Sequence, residues 1–167
     1  MKRKREPGES RGVSSRGTSA IVVAQSTIKK PSVVIADDQE EILRAVAETL
    51  QDGYHVVGLA ENGRDLLELV HALKPDVVVL DICMPLVNGI EAVFRLRMDG
   101  CCAKLVCITV HEDRDFVDAA IAAGAHGYVL KSRLATDLIP AMKHALDNGF
   151  FVSPGMQRVG QSHIDLI

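Results

Sequence analysis

Asp37 and Asp38 follow the apolar run "SVVIA", Asp81 follows "VVVL", Thr109 closes "KLVCI" and Lys131 follows "GYVL". Three carboxylates gathered at one place repel one another, and one is driven toward its protonated form unless positive charge compensates. A hard divalent cation does this. Magnesium suits such a site because it takes one or two carboxylates, keeps several waters and shares phosphate oxygens. A lysine and a hydroxyl beside it supply the charge and the hydrogen bond that a phosphoryl group requires. An aspartate in that setting can itself accept the phosphoryl group, with catalysis by positioning and charge neutralisation. Each residue alone has a plain alternative. Asp38 with Glu41 could form a helix capping box, Asp81 could open a turn before Pro85, Thr109 is a good strand residue, and Lys131 could be solvated.

The elements that would position these residues decide between the readings. From Pro31 onward, short apolar runs alternate with amphipathic stretches. Strands are expected at Ser32–Asp37, Tyr54–Ala60, Asp76–Asp81, Lys104–Thr109 and Gly127–Leu130. Helices are expected at Glu40–Leu50, Asn62–Leu73, Asn88–Met98, Asp113–Ala123 and Leu134–Asn148, several closed by glycine or proline. Strands that are apolar throughout, separated by helices, imply a parallel sheet covered on both faces. Right-handed crossovers then give a doubly wound α/β fold. Such folds bind ligands beyond the carboxyl ends of their strands. Four of the five expected strands deliver a polar group to that one edge, which favours joint chemistry over independent accidents.

The 167 residues allow one domain with a substantial core. The chain has no Trp, and no apolar run approaches the ~18 residues of a membrane span. The short apolar stretch Ala20–Ala24 behind the basic N-terminus is too brief for a signal peptide core. A cytoplasmic protein is expected. The cysteines, Cys83, Cys101, Cys102 and Cys107, form no CxxC pair and no zinc-spaced cluster. Cys107 reads as a small core residue, and reduced thiols are expected. The net charge of −3 hides +6 over residues 1–30 and −9 over the rest. Residues 1–30, basic and rich in Ser and Gly, read as a disordered tail. Such a tail can touch nucleic acid nonspecifically, although a solvated leader is the simpler reading.

Asp37-Asp38, "LDICMPLVNGIEA" (Leu80–Ala92), "ITVHED" (Ile108–Asp113) and "AAGAHGYVLKS" (Ala122–Ser132) together resemble the receiver domain of bacterial two-component response regulators, with the last stretch closest to the NarL/FixJ type. The resemblance covers residues 31–150 and all five functional positions. It implies a flavodoxin-like, CheY-like three-layer sandwich with a five-stranded parallel sheet in the order 2-1-3-4-5. It implies that Asp81 accepts a phosphoryl group from a sensor histidine kinase or a phosphotransfer protein. Mg2+ would be held by Asp37, Asp38, Asp81 and the main-chain carbonyl of Cys83, while Thr109 and Lys131 contact the phosphoryl oxygens. Thr109 and Tyr128 would act as the switch, moving the surface of the fourth helix, fifth strand and fifth helix toward a downstream partner or output domain. Dimerisation on phosphorylation is a further possibility of the family.

Some positions depart from the pattern. Ser132 follows Lys131 where many receivers have proline, and Val110 follows Thr109 where many have a small residue. Cys83 and His111 should line the mouth of the site and could tune the lifetime of the acyl phosphate. Residues 151–167 read as a tail or linker with no DNA-binding domain, so either a stand-alone receiver or the receiver fragment of a DNA-binding regulator is expected, the former slightly favoured. Among the competitors, a haloacid-dehalogenase-like phosphohydrolase would carry a second aspartate where Cys83 stands. A dinucleotide-binding domain lacks its GxGxxG after the first strand. A pseudo-receiver that binds partners without phosphorylation is disfavoured by the intact acidic set, Thr109 and Lys131.

Overall fold

The computed structural model describes residues 29–156. Strands and helices alternate: β1 (Ser32–Ala36), α1 (Glu40–Leu50), β2 (His55–Ala60), α2 (Gly63–Leu73), β3 (Val77–Asp81), α3 (Gly89–Met98), β4 (Lys104–Thr109), α4 (Arg114–Ala123), β5 (Gly127–Leu130), α5 (Leu134–Leu146) and β6 (Phe151–Val152). A single 3-10 turn, Lys131–Arg133, joins β5 to α5. The order across the sheet is β2-β1-β3-β4-β5-β6, and every pairing is parallel. The five strands and five helices expected from the sequence are present in the expected order.

The strands are apolar throughout because both faces are covered. In β3, Val77 and Val79 join Leu43, Val46 and Leu50 of α1 and Leu138, Met142 and Ala145 of α5 in one core. The intervening Val78 and Leu80 join Leu66 and Val70 of α2, Val93 and Leu96 of α3, and Val117 and Ala120 of α4 in the other. Alternation along one strand thus feeds two cores, as the two-residue period of a strand dictates. The wholly apolar run in β3 follows from that arrangement.

Helix starts are set locally. Asn62 accepts from the amide of Asp65, Asn88 from that of Glu91, and Asp113 from that of Asp115. Each satisfies a donor that the first turn of a helix leaves unpaired. The capping role considered for Asp38 does not occur. Gln39 is the residue before α1 and makes no side-chain cap, which leaves the Asp38 carboxylate at the sheet edge. Pro140 lies inside α5 without ending it. The buried stripe of Leu138, Ala141, Met142 and Ala145 outweighs the one lost helical hydrogen bond.

The C-terminal segment differs from the expectation of a tail. Phe151–Val152 pairs with Gly127 and Tyr128 and adds a sixth strand at the edge. Two residues carry no readable period, so nothing in the local sequence announced it. Residues 1–28 of the expected basic tail, and 157–167 of the expected linker, lie outside the described residues. Among the described residues no helix is long and apolar enough to cross a membrane. The four cysteines are free, with Cys107 buried in the core.

Candidate functional site

The carboxyl ends of β1, β3, β4 and β5 meet at one edge of the sheet. Asp37 and Thr109 are fully buried there and Asp81 nearly so. Ligand oxygens from Asp37, Asp38 and Asp81 all lie within 4.8 Å of one another. The buried Lys131 ammonium sits 2.6 Å from Asp37 Oδ2 and 3.2 Å from Asp81 Oδ2. Topology makes this possible. β1 and β3 are neighbours, and Lys131 reaches across from β5, its first residue past the strand.

The charges do not balance. Two buried carboxylates and a third at the rim face one ammonium. Burial raises the pKa of Asp37 despite hydrogen bonding to Lys131 and to the amide of Gln39. For Lys131 burial acts downward, but the hydrogen bond to Asp37 and the charges of Asp81 and Asp37 prevail and raise its pKa. The Asp37 amide is held by Ala60 O at 3.0 Å, and Asp37 Oδ1 accepts from the Gln39 amide at 3.0 Å. Its buried Oδ2 meets the Lys131 ammonium and has no further hydrogen-bond partner. A carboxylate that stays partly uncompensated, beside two others, is the donor set of a hard divalent cation. These residues fit Mg2+.

The mouth of the site is built by the loops after β3 and β4. Gly89, the first residue of α3, lies so close beneath β3 that a Cβ there would stand 2.1 Å from Asp81 O. Its amide donates to Ile82 O at 2.8 Å. Cys83 is exposed, and its Sγ lies 3.0 Å from His111 Nε2. The His111 ring stacks on Phe116 with centroids 4.5 Å apart, and its amide donates to Thr109 Oγ1 at 3.1 Å. Sequence spacing had brought Cys83 and His111 to the mouth, but not into contact with each other. Tyr128 is fully buried behind them, its hydroxyl donating to His111 O at 3.0 Å. Burial pushes its pKa up to about 12, against the hydrogen bond from Thr109. Every site residue expected from the sequence therefore gathers in one region, with Tyr128 inward.

Sequence reasoning missed one polar group next to the site. Asp137 and Ser153 are both buried. The Ser153 hydroxyl donates to Asp137 Oδ2 at 2.7 Å and accepts from the Leu130 amide at 3.1 Å. The i,i+4 spacing of Arg133 and Asp137 was the available signal. A cavity of about 570 Å3, lined in part by Val70, Lys74, Asp99, Cys101 and Lys104, carries none of the expected site residues.

This parallel α/β domain gathers at its strand ends an acidic cluster that could hold a metal ion, with a hydroxyl and a lysine at the same edge. The model of the response regulator receiver domain matches residues 33–143. The chain belongs to that family and is a receiver domain of two-component signalling. It is 35% identical over 127 residues to the transcriptional regulatory protein DegU of Brevibacillus brevis, covering 75% of this chain and 54% of that protein. It is 38% identical over 115 residues to the transcriptional regulatory protein PdtaR of Mycobacterium tuberculosis, covering 68% and 56%. The chain thus spans little more than half the length of these relatives. The receiver domain of the response regulator NarL from M. tuberculosis superposes with a TM-score of 0.69 at 30% identity, covering 71% of this chain and 98% of that one. A LuxR-family response regulator from Aurantimonas gives 0.73 at 28% identity, covering 77% and 93%.

Proposed function

We propose that Asp81 is the phosphoacceptor of this receiver and that Mg2+ is bound by Asp37, Asp38, Asp81 and the main-chain carbonyl of Cys83. The observation that carries the reading is the convergence of three carboxylates within 4.8 Å under a lysine that contacts two of them. A carboxylate oxygen of Asp81 attacks the phosphorus of a phosphohistidine on a sensor kinase or phosphotransfer protein. The P–N bond breaks, a P–O bond forms, and an acyl phosphate results. The metal, when bound, neutralises charge on the transferring group. Lys131, 3.2 Å from Asp81, would pair with a phosphoryl oxygen, and Thr109 would offer its hydroxyl from the end of β4.

The chain is thus both substrate and catalyst of its own phosphorylation rather than a conventional enzyme. Tyr128 and Thr109 form the switch. Tyr128 is bonded to the β4–α4 loop through His111 O, so movement of Thr109 is transmitted to α4, β5 and α5. That surface would engage an output domain or a separate partner, or a second copy of the chain on phosphorylation. The relatives' designation as transcriptional regulators supports an output on gene expression. The cytoplasm is the compartment this function requires, and it suits four unpaired cysteines.

Incubation with Mg2+ and acetyl phosphate, followed by intact mass measurement, tests the reading. The expected product carries one phosphoryl group, and Asp81→Asn abolishes it. Absence of an adduct, with no binding of beryllofluoride, would favour the pseudo-receiver. Steady turnover of phosphate esters would favour the phosphohydrolase.

A further inference from the structure

The active-site lysine is carried on a single turn of chain, and both flanks of that turn are tied to one buried carboxylate. On the upstream side, the Leu130 amide donates to Ser153 Oγ at 3.1 Å, and the Ser153 hydroxyl donates to Asp137 Oδ2 at 2.7 Å. On the downstream side, Arg133 donates to the same carboxylate through Nε at 2.7 Å and through its terminal nitrogen at 3.1 Å. Thr136 Oγ1 adds a third donor at 2.8 Å. Lys131 is the first residue of the turn so bounded.

Ser153 reaches this place because β6 docks on β5. The Phe151 amide donates to His126 O at 3.1 Å and the Ser153 amide to Tyr128 O at 3.0 Å. A parallel ladder would next offer a main-chain carbonyl to the Leu130 amide. Here the Ser153 side chain takes that donor. Beyond it, Met156 is buried in the same core as Tyr128 and Leu130, and its carbonyl accepts from Arg114 at the start of α4. The segment is therefore held at β5, at the lysine turn and at α4.

The phosphoryl chemistry makes no use of Asp137 or Ser153, yet both are buried and fully engaged. Such a network holds a geometry only when all its members are satisfied. We propose that Ser153 and Asp137 are positioning residues for Lys131, acting through the Leu130 amide and the Arg133 side chain, so that docking of residues 151–156 on β5 sets the reactivity of the site. The proposal rests on Asp81 being the phosphoacceptor. Coupling of this kind is reciprocal. A phosphoryl group that draws Lys131 away from Asp37 changes the turn, and so changes how tightly the segment docks.

The experiment compares wild type, Ser153→Ala, Ser153→Thr and Asp137→Asn in the full chain. Each is measured for acetyl phosphate phosphorylation rate, beryllofluoride affinity and Mg2+ affinity without phosphate mimic. Lys131 shares Asp37 and Asp81 with the proposed Mg2+ as a competing positive charge, so its displacement should not lower Mg2+ affinity, whereas general loosening of the carboxylates should. Ser153→Ala and Asp137→Asn should slow phosphorylation and weaken beryllofluoride binding by about tenfold, as loss of alignment near a reacting group does. Mg2+ affinity should not fall, with Ser153→Thr recovering the rate because it keeps the hydroxyl. Thermal melts check folding, and Asp137→Asn carries the test if Ser153→Ala does not fold. Wild-type rates in both variants would overturn the proposal, as would a parallel fall in Mg2+ affinity. No adduct on wild type overturns the phosphoacceptor reading and this proposal with it. An adduct on wild type with equal rates in the variants overturns this proposal alone.

Discussion

Replacing Lys131 with methionine keeps much of the side-chain volume and removes the one ammonium between Asp37 and Asp81. At an effective dielectric of about 20, contacts of 2.6 and 3.2 Å correspond to attractions of about 6 and about 5 kcal/mol. Desolvating the lysine offsets several kcal/mol of this, so the intact arrangement contributes far less than the sum. Removal of one partner is different, because both carboxylates stay buried without compensation. The expected loss is about 3–5 kcal/mol, a large part of the 5–15 kcal/mol typical of a domain. Urea unfolding in metal-free buffer at neutral pH reads it directly. Mg2+ supplies the missing positive charge, so it should stabilise Lys131→Met more than wild type and narrow the gap between them. Asp81→Asn in the same chain removes one of the two buried charges, so Lys131→Met should destabilise less in that background. A Lys131→Met stability within about 1 kcal/mol of wild type, or an equal loss in the Asp81→Asn background, would refute the reasoning, since electrostatic crowding requires both a penalty and a coupling.

Two further outcomes follow, one from the amino ends of β4 and β5 and one from the start of α3 beneath β3. His126 Nδ1 accepts from Arg97 and from the Leu105 amide, and burial first, then the charges of Arg97 and Lys104, lower its pKa from 6.5 to about 4. Between those values the unfolded chain binds a proton that the fold excludes, so stability should fall as the pH drops through that window, by at most about 1.4 kcal/mol per pH unit. His126→Asn, which can keep an acceptor without titrating, should reduce that slope in urea midpoints measured at pH 7 and pH 5, and an unchanged slope counts against the assignment. Gly89→Ala would set a methyl 2.1 Å from Asp81 O. It should cost about 1–3 kcal/mol of overpacking and lower the yield of phosphoryl adduct, because the backbone displaced is that of the proposed acceptor. An unaltered melt and yield would show that the close approach has no consequence.

Much of the fold was legible because its signals are local and repeated. Wholly apolar strands, amphipathic helices and their stops announce a parallel sheet, and a parallel sheet sends all its carboxyl ends to one edge. The convergence of Asp37, Asp38, Asp81, Thr109 and Lys131 follows from that topology, although these residues are far apart in the chain. What the sequence did not reveal depends on side-chain reach and on pairing without periodicity. Lys131 lies nearer Asp37 than Asp81, a matter of rotamer. Cys83 meets His111 across two loops. Gln39 rather than Asp38 precedes α1, because the helix begins at Glu40. A two-residue strand such as β6 has no pattern to read, and its position comes from the free edge that β5 would otherwise expose.

That edge connects the parts of the domain that sequence reading left separate. β5 carries Tyr128 in its middle and delivers Lys131 at its end. One neighbour, β4, delivers Thr109, and the other is the short β6 that brings Ser153. The inner neighbour is fixed by a buried ladder of four register pairs, the outer by two. The outer ladder is the shorter, and its hold is completed by side chains, through Ser153 to the Leu130 amide and Asp137 and through Arg114 to the Met156 carbonyl. In the coupling proposed above, a change at Asp81 reaches β5 through Lys131, which contacts its carboxylate, and passes to the β6 side through Ser153 and Asp137. The same strand that completes the site thus has one flank held by a main-chain ladder and one held largely by buried side chains, and residues 151–156 form the second.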